Sequence, residues 1–158
     1  MTASWAGICC SIPPAVSVAL RKATYTYQNL IDSQAFTVNI PSLEYLKEAD
    51  FIGSSSGKDT DKFQVTGLTP VGSKKVHAPY VKEFPLIIEC RLIHYHEIGL
   101  HTQFIGEIVD VMVDPKKLSE NGEADMGKIQ PFLFAATDRA YYSLGRFIGN
   151  AFETGDYR

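Results

Sequence analysis

What this chain lacks narrows its class before any motif is read. No stretch gathers five or six like charges, and Lys plus Arg 15 against Asp plus Glu 18 leaves a net charge of -3. Nucleic acid and anionic membranes attract basic runs, so neither is an expected partner. No window approaches eighteen uninterrupted apolar residues, and no basic segment leads into an apolar one near Met1. Neither a membrane span nor a signal peptide is read, and the expected location is cytoplasmic. The glycine patterns G-x-G-x-x-G and G-x-x-x-x-G-K-[ST] are both missing, which argues against Rossmann and P-loop nucleotide sites. Cysteine is scarce: Cys9, Cys10 and Cys90 are odd in number, follow no metal-ligand spacing and sit in apolar runs. They read as buried thiols in a reducing compartment. Neighbours on a strand point to opposite faces, so Cys9 and Cys10 are not expected to pair with each other.

What is present suits one folded domain over residues 1–158. The chain is 45% apolar and 21% charged, an ordinary globular balance, and long enough to bury a core without covalent staples. Period-two runs at Ala15–Leu20 and Ala35–Ile40 read as half-buried strands. Longer runs at Phe84–His96 and Thr102–Val113, joined by the short Glu97–His101 link, read as an antiparallel pair that forms the backbone of the sheet. Helices are expected from Tyr25 to about Asp32, from Leu43 to about Phe51 after the Pro41-Ser42 start signal, and from Thr60 to Val65 before a Thr66-Gly67 stop. Strands and helices do not alternate as a doubly wound sheet requires, so the expected fold is mainly β with peripheral helices, a β-barrel with helices packed outside.

Chemistry concentrates in a few places. Arg21-Lys22-Ala23-Thr24-Tyr25-Thr26 leaves a strand and enters a helix, bringing cations, hydroxyls and free helix-start amides into one turn. Such a turn can hold an anion, and a planar guanidinium with backbone N–H groups suits a phosphate monoester; a solvated basic turn with a capping Thr is the equally open alternative. Ser56-Gly57-Lys58-Asp59-Thr60-Asp61-Lys62-Phe63 is a mixed-charge turn of the kind usually found on a surface. Trp5 is the only tryptophan, and a lone Trp is more often core than a stacking platform. His94 and His96 share a strand face with Glu97 and His101 nearby, but no spacing specific to zinc appears and no metal site is assigned.

Taken together, Trp5-Ala6-Gly7-Ile8-Cys9-Cys10-Ser11, Pro13-Pro14, Val16 to Thr26, Phe36-Thr37-Val38-Asn39-Ile40-Pro41, Ser56 to Phe63 and His96 to Phe104 resemble, in this order, the flavoredoxin branch of the flavin reductase-like family, over residue 1 to about Phe152. The resemblance implies an FMN-binding split β-barrel, a homodimer, and FMN as a noncovalent cofactor. It implies that Trp5 lies on or beside the isoalloxazine, that Arg21, Lys22, Thr24 and Thr26 surround the ribityl phosphate, and that Asn39 offers an amide to the flavin. Lys62, with Ser56, Gly57 and Phe63, would close the phosphate side. His101 would hydrogen-bond near the pyrimidine edge and Phe134 would cover the cofactor; no residue is assigned a catalytic role beyond that flavin bond. Family members carry a further N-terminal strand segment, so this chain is expected to be shortened there, with Met1–Trp5 reading as the middle of a strand. The implied activity is an FMN-dependent oxidoreductase taking hydride from NAD(P)H and passing electrons to an acceptor. The alternative is an electron-transfer protein reduced by a redox protein partner, with no NAD(P)H site of its own.

Overall fold

The computed structural model describes residues 1–155; positions 156–158 of the expected domain lie outside the described residues. Alternation in the sequence becomes an antiparallel sheet of five strands: β1 (Ala6–Ser11), β2 (Pro14–Leu20), β3 (Ala35–Ile40), and the long β6 (Leu86–Ile98) and β7 (His101–Val113). Their order is β1-β2-β7-β6-β3, and two-stranded ribbons β4 (Pro70–Gly72) with β5 (Pro79–Val81) and β8 (Phe132–Ala135) with β9 (Ala140–Ser143) complete the strands. Helices α1 (Tyr25–Ser33), α2 (Leu46–Ser54), α3 (Lys62–Thr66) and α4 (Met126–Ile129) are all short and lie around the sheet. The mainly β reading with peripheral helices therefore holds.

The two faces of the sheet bury separate clusters, because successive side chains on each strand point opposite ways. On one face Val16, Val18 and Leu20 of β2, Phe36, Cys90 and Phe104 meet Leu30 of α1. Phe104 is fully buried, with Tyr27 edge-on to it at 5.3 Å between ring centroids and Tyr95 at 5.6 Å. On the other, Ile87, Phe84 and Leu68 pack with Phe63 of α3, Ile52 of α2 and Tyr80 of the β4–β5 ribbon. Gly106 lets the sheet close on the first cluster: a methyl group there would stand 2.5 Å from Phe36 Cζ and 2.9 Å from Cys90 Cβ.

Several expectations change. The β6 and β7 strands run further than the alternation suggested, so the Glu97–His101 link shrinks to Gly99-Leu100, with Gly99 at φ 50 supplying the left-handed step of a two-residue turn. The second helix begins as a 3₁₀ turn, Leu43–Tyr45; Ser42 makes no cap and its hydroxyl donates to Glu44 Oε1 instead. Met1–Trp5 does not form a strand; the ladder starts where the Trp5 carbonyl accepts from the Ala19 N–H at 2.9 Å.

Cys9 and Cys10 are exposed, which corrects the reading of three buried thiols; only Cys90 is buried. Their strand is the edge of the sheet, paired on one side only, and every residue from Ala6 to Ser11 is exposed. An apolar run in a strand implies burial only when something packs on it. The β1–β2 register also shifts between Ile8, opposite Val16, and Cys10, opposite Ala15, so Cys9 is the extra residue of a bulge and strict alternation fails there.

Candidate functional site

The basic turn is placed by the strand before it. Buried Leu20 ends β2 opposite Thr102 of β7, and Glu97 of β6 stands opposite the same Thr102. The chain leaving β2 therefore emerges beside the tip of the β6–β7 hairpin. Thr24 closes the turn, its N–H and its hydroxyl both donating to the Arg21 carbonyl, at 3.0 and 2.8 Å. The Thr24 proton thus serves the turn itself. At the start of α1 no side chain caps the helix and no acidic residue sits in its first turn; the Tyr27 N–H donates to the Thr24 carbonyl at 3.2 Å, so among the described residues the Tyr25 and Thr26 amides and the positive end of the helix dipole stay open to an anion. Among the described residues the Arg21 guanidinium and the Thr26 hydroxyl have no hydrogen bond or ion pair.

Lys22 is engaged. Its Nζ lies 2.5 Å from Glu97 Oε1, with both side chains more than half exposed. The hydrogen bond to Glu97 is the main cause holding the Lys22 ammonium above its ordinary pKa. At the same tip Trp5 and His101 meet edge-on, with ring centroids 6.4 Å apart and planes 72° apart. The indole is 58% exposed, so Trp5 is a surface platform and not the core residue that a lone Trp usually is.

A second segment reaches the helix start. Gly57 lies against Tyr25: a methyl group on it would sit 3.4 Å from Tyr25 Cδ1. The Ser56 hydroxyl accepts from the Lys58 N–H and its carbonyl accepts from Asp59 and Thr60, a tight turn beside the basic one. Gly57, Arg21, Lys22, Thr24, Thr26, Trp5 and His101 are thus linked through Tyr25, Glu97 and the hairpin tip.

Four expected site residues make their contacts elsewhere. Lys62 Nζ donates to the Ile52 carbonyl in the last turn of α2 at 2.6 Å, and burial lowers its pKa. Phe63 packs in the second hydrophobic cluster. Asn39 fastens the β4–β5 ribbon to β3, accepting from the Val81 N–H at 2.8 Å and donating to Thr37 Oγ1 at 2.8 Å. Phe134, in β8, leans on Tyr141, whose hydroxyl donates to Asp50 of α2 at 2.8 Å. The His94 and His96 rings lie 5.9 Å apart, and among the described residues no group of three His, Cys, Asp or Glu side chains is arranged to hold a metal.

In sequence Glu97 is placed in the hairpin link and near the His94–His96 pair, with no ion-pair partner in view. Its pairing with Lys22 could have been found by placing the strand ending at Leu20 beside the one beginning near Thr102, which sets the residues after Leu20 against the hairpin tip. Nothing local to Glu97 signals it.

A family model described as the flavin reductase like domain matches residues 1–144. The solved structure of flavoredoxin from Desulfovibrio vulgaris (Miyazaki F) superposes with a TM-score of 0.94 at 52% identity, covering 99% of this chain and 84% of that one. A structure from Shewanella frigidimarina, described as having a split barrel domain, gives a TM-score of 0.81 at 26% identity over 94% of this chain and 75% of that one. Among curated proteins, a ferric-chelate reductase (NAD(P)H) of Archaeoglobus fulgidus is 30% identical over 104 residues, 65% of this chain and 60% of that protein. The chain spans 63%, 62% and 54% of the length of three further relatives, from Archaeoglobus fulgidus, Pyrococcus abyssi and Aquifex aeolicus.

Proposed function

This chain belongs to the flavin reductase-like family, in its flavoredoxin branch and with its split-barrel fold, and we propose that it binds FMN and moves reducing equivalents from NAD(P)H through the flavin to an acceptor. One observation carries the reading: an uncapped helix start with a guanidinium unpaired among the described residues and an exposed Trp–His edge lie at the same end of the sheet, tied to one hairpin tip. A phosphorylated, flat, aromatic ligand needs those two features together.

The residues present fit such a group. Arg21, the Thr26 hydroxyl and the first amides of α1 would hold the phosphate, with Lys22 as a further cation and Ser56 and Gly57 as the opposite wall. Trp5 would give the ring an apolar surface and exclude water, and His101 would offer a ring N–H to its polar edge. FMN supplies hydride acceptance and electron donation when bound, while the protein supplies position and electrostatics. Asn39, Lys62, Phe63 and Phe134 stay in the proposal as flavin contacts, made beside the internal contacts described above.

The ferric-chelate reductase relative supports NAD(P)H as donor. The 52% identity to a flavoredoxin supports the second reading, an electron-transfer protein reduced by a redox partner. Anaerobic mixing of the FMN-loaded protein with NADH or NADPH separates them: rapid bleaching of the flavin is the expected result, and persistence of its oxidised spectrum favours the carrier. A homodimer is part of the proposal, supported by exposed apolar side chains that include Ile8, Ile12, Leu133, Phe147 and Ile148. Unpaired cysteines support a reducing, cytoplasmic setting.

A further inference from the structure

Of the cations in the basic turn, Lys22 has an internal anion on it, the Glu97 carboxylate at 2.5 Å, whereas Arg21 has none among the described residues. The pair is solvent-exposed on both sides, 58% for Lys22 and 61% for Glu97. Such exposed pairs contribute little to stability and are readily exchanged. A phosphate monoester carries roughly -1.5 to -2 at neutral pH against -1 for a carboxylate, so it outcompetes Glu97 for the ammonium. The exchange is not free, since the Glu97 contact must be given up and its charge stays nearby.

We propose that Glu97 is a specificity-tuning residue that competes with the ligand's phosphate for Lys22, weakening the hold on phosphorylated flavin while leaving dephosphorylated flavin untouched. This deepens the FMN reading and rests on its placement of the phosphate at the Arg21–Thr26 turn. Glu97 is fixed for the task by the β6–β7 ladder, opposite buried Thr102 and two positions before the Gly99-Leu100 turn. The other titratable side chain bearing on Lys22 is Tyr27, whose ring is committed to Phe104. Glu97 also sits one strand position from Ile98, which faces His101 across the ladder, so the carboxylate released from Lys22 stays at the same tip that presents the Trp5–His101 edge.

The test is the ratio of dissociation constants for riboflavin and FMN, measured by flavin fluorescence in the full chain and in Glu97→Gln, Lys22→Met and the double variant. Glu97→Gln is expected to tighten FMN by about two- to fivefold with riboflavin unchanged. Lys22→Met is expected to lower the ratio, and in that background Glu97→Gln is expected to gain less. A merely structural Glu97 would move both ligands alike, and that result, or FMN binding unchanged or weakened by Glu97→Gln, overturns the proposal. If Lys22→Met leaves the ratio at its wild-type value, Lys22 does not hold the phosphate and the inference is overturned, while a ratio unmoved by Arg21→Ala as well would remove the phosphate from the turn altogether.

Discussion

Trp5 and His101 meet edge to face at the hairpin tip, with 6.4 Å between ring centroids, although they lie 96 positions apart in sequence. His101 opens β7 and Trp5 is held by its carbonyl to β2, the neighbouring strand. The indole lies 58% open to solvent, so it contributes little to folding. Trp5→Ala should therefore weaken FMN by about three- to tenfold, the worth of one aromatic contact, while leaving thermal unfolding nearly unchanged. Parallel flavin titration and calorimetry check both halves; a large drop in unfolding temperature would mean that Trp5 is structural.

Arg21→Ala and Thr26→Val should weaken FMN much more than riboflavin, since neither side chain has another partner among the described residues. A charge-assisted hydrogen bond lost at a half-open site corresponds to about tenfold in affinity. Equal weakening of the two ligands would remove the phosphate from this turn.

Thiol reactivity should divide the cysteines. Burial pushes the Cys90 pKa up from 9.0 to about 12, leaving roughly one part in ten thousand as thiolate at pH 8. A chromogenic disulfide reagent at that pH should titrate Cys9 and Cys10 in the native protein and reach Cys90 only on unfolding. The same shift has a sign for stability. The unfolded thiol ionises from about pH 9 and the folded one does not, so the Cys90 contribution is complete below pH 9 and falls as pH rises towards 12. A Cys90→Ala variant should show a shallower alkaline loss of stability, measured by denaturant titration from pH 8 to about pH 10.

Gly106→Ala should destabilise the fold by about 1–3 kcal/mol, because the added methyl meets Phe36 and Cys90 inside normal contact distance. Urea unfolding measures it. A Phe36→Leu change in the same chain should recover part of the loss by making room.

Strands β2, β3, β6 and β7 were legible because six or more alternating residues each feed a buried face, and Val16, Val18, Leu20 and Phe104 are buried as that pattern requires. The β4–β5 and β8–β9 ribbons were not, since three or four residues make no period. Cys9 and Cys10 misled because the apolar character of β1 carries no mark of its edge position. In the site, Arg21, Thr26 and Trp5 stood out through residue type and order, and the resemblance supplied Ser56, Gly57 and His101. Glu97 stayed hidden because its partner Lys22 is 75 positions away and meets it only through strand pairing. The bonding of Asn39 to Val81 was hidden for the same reason.

Binding of FMN is the central claim, and a titration of the purified chain with FMN, followed by flavin fluorescence, tests it most directly. Saturable quenching with one FMN per chain is expected, weakened in Trp5→Ala and in Arg21→Ala. A linear response without saturation, from protein shown to be folded by circular dichroism, would contradict it.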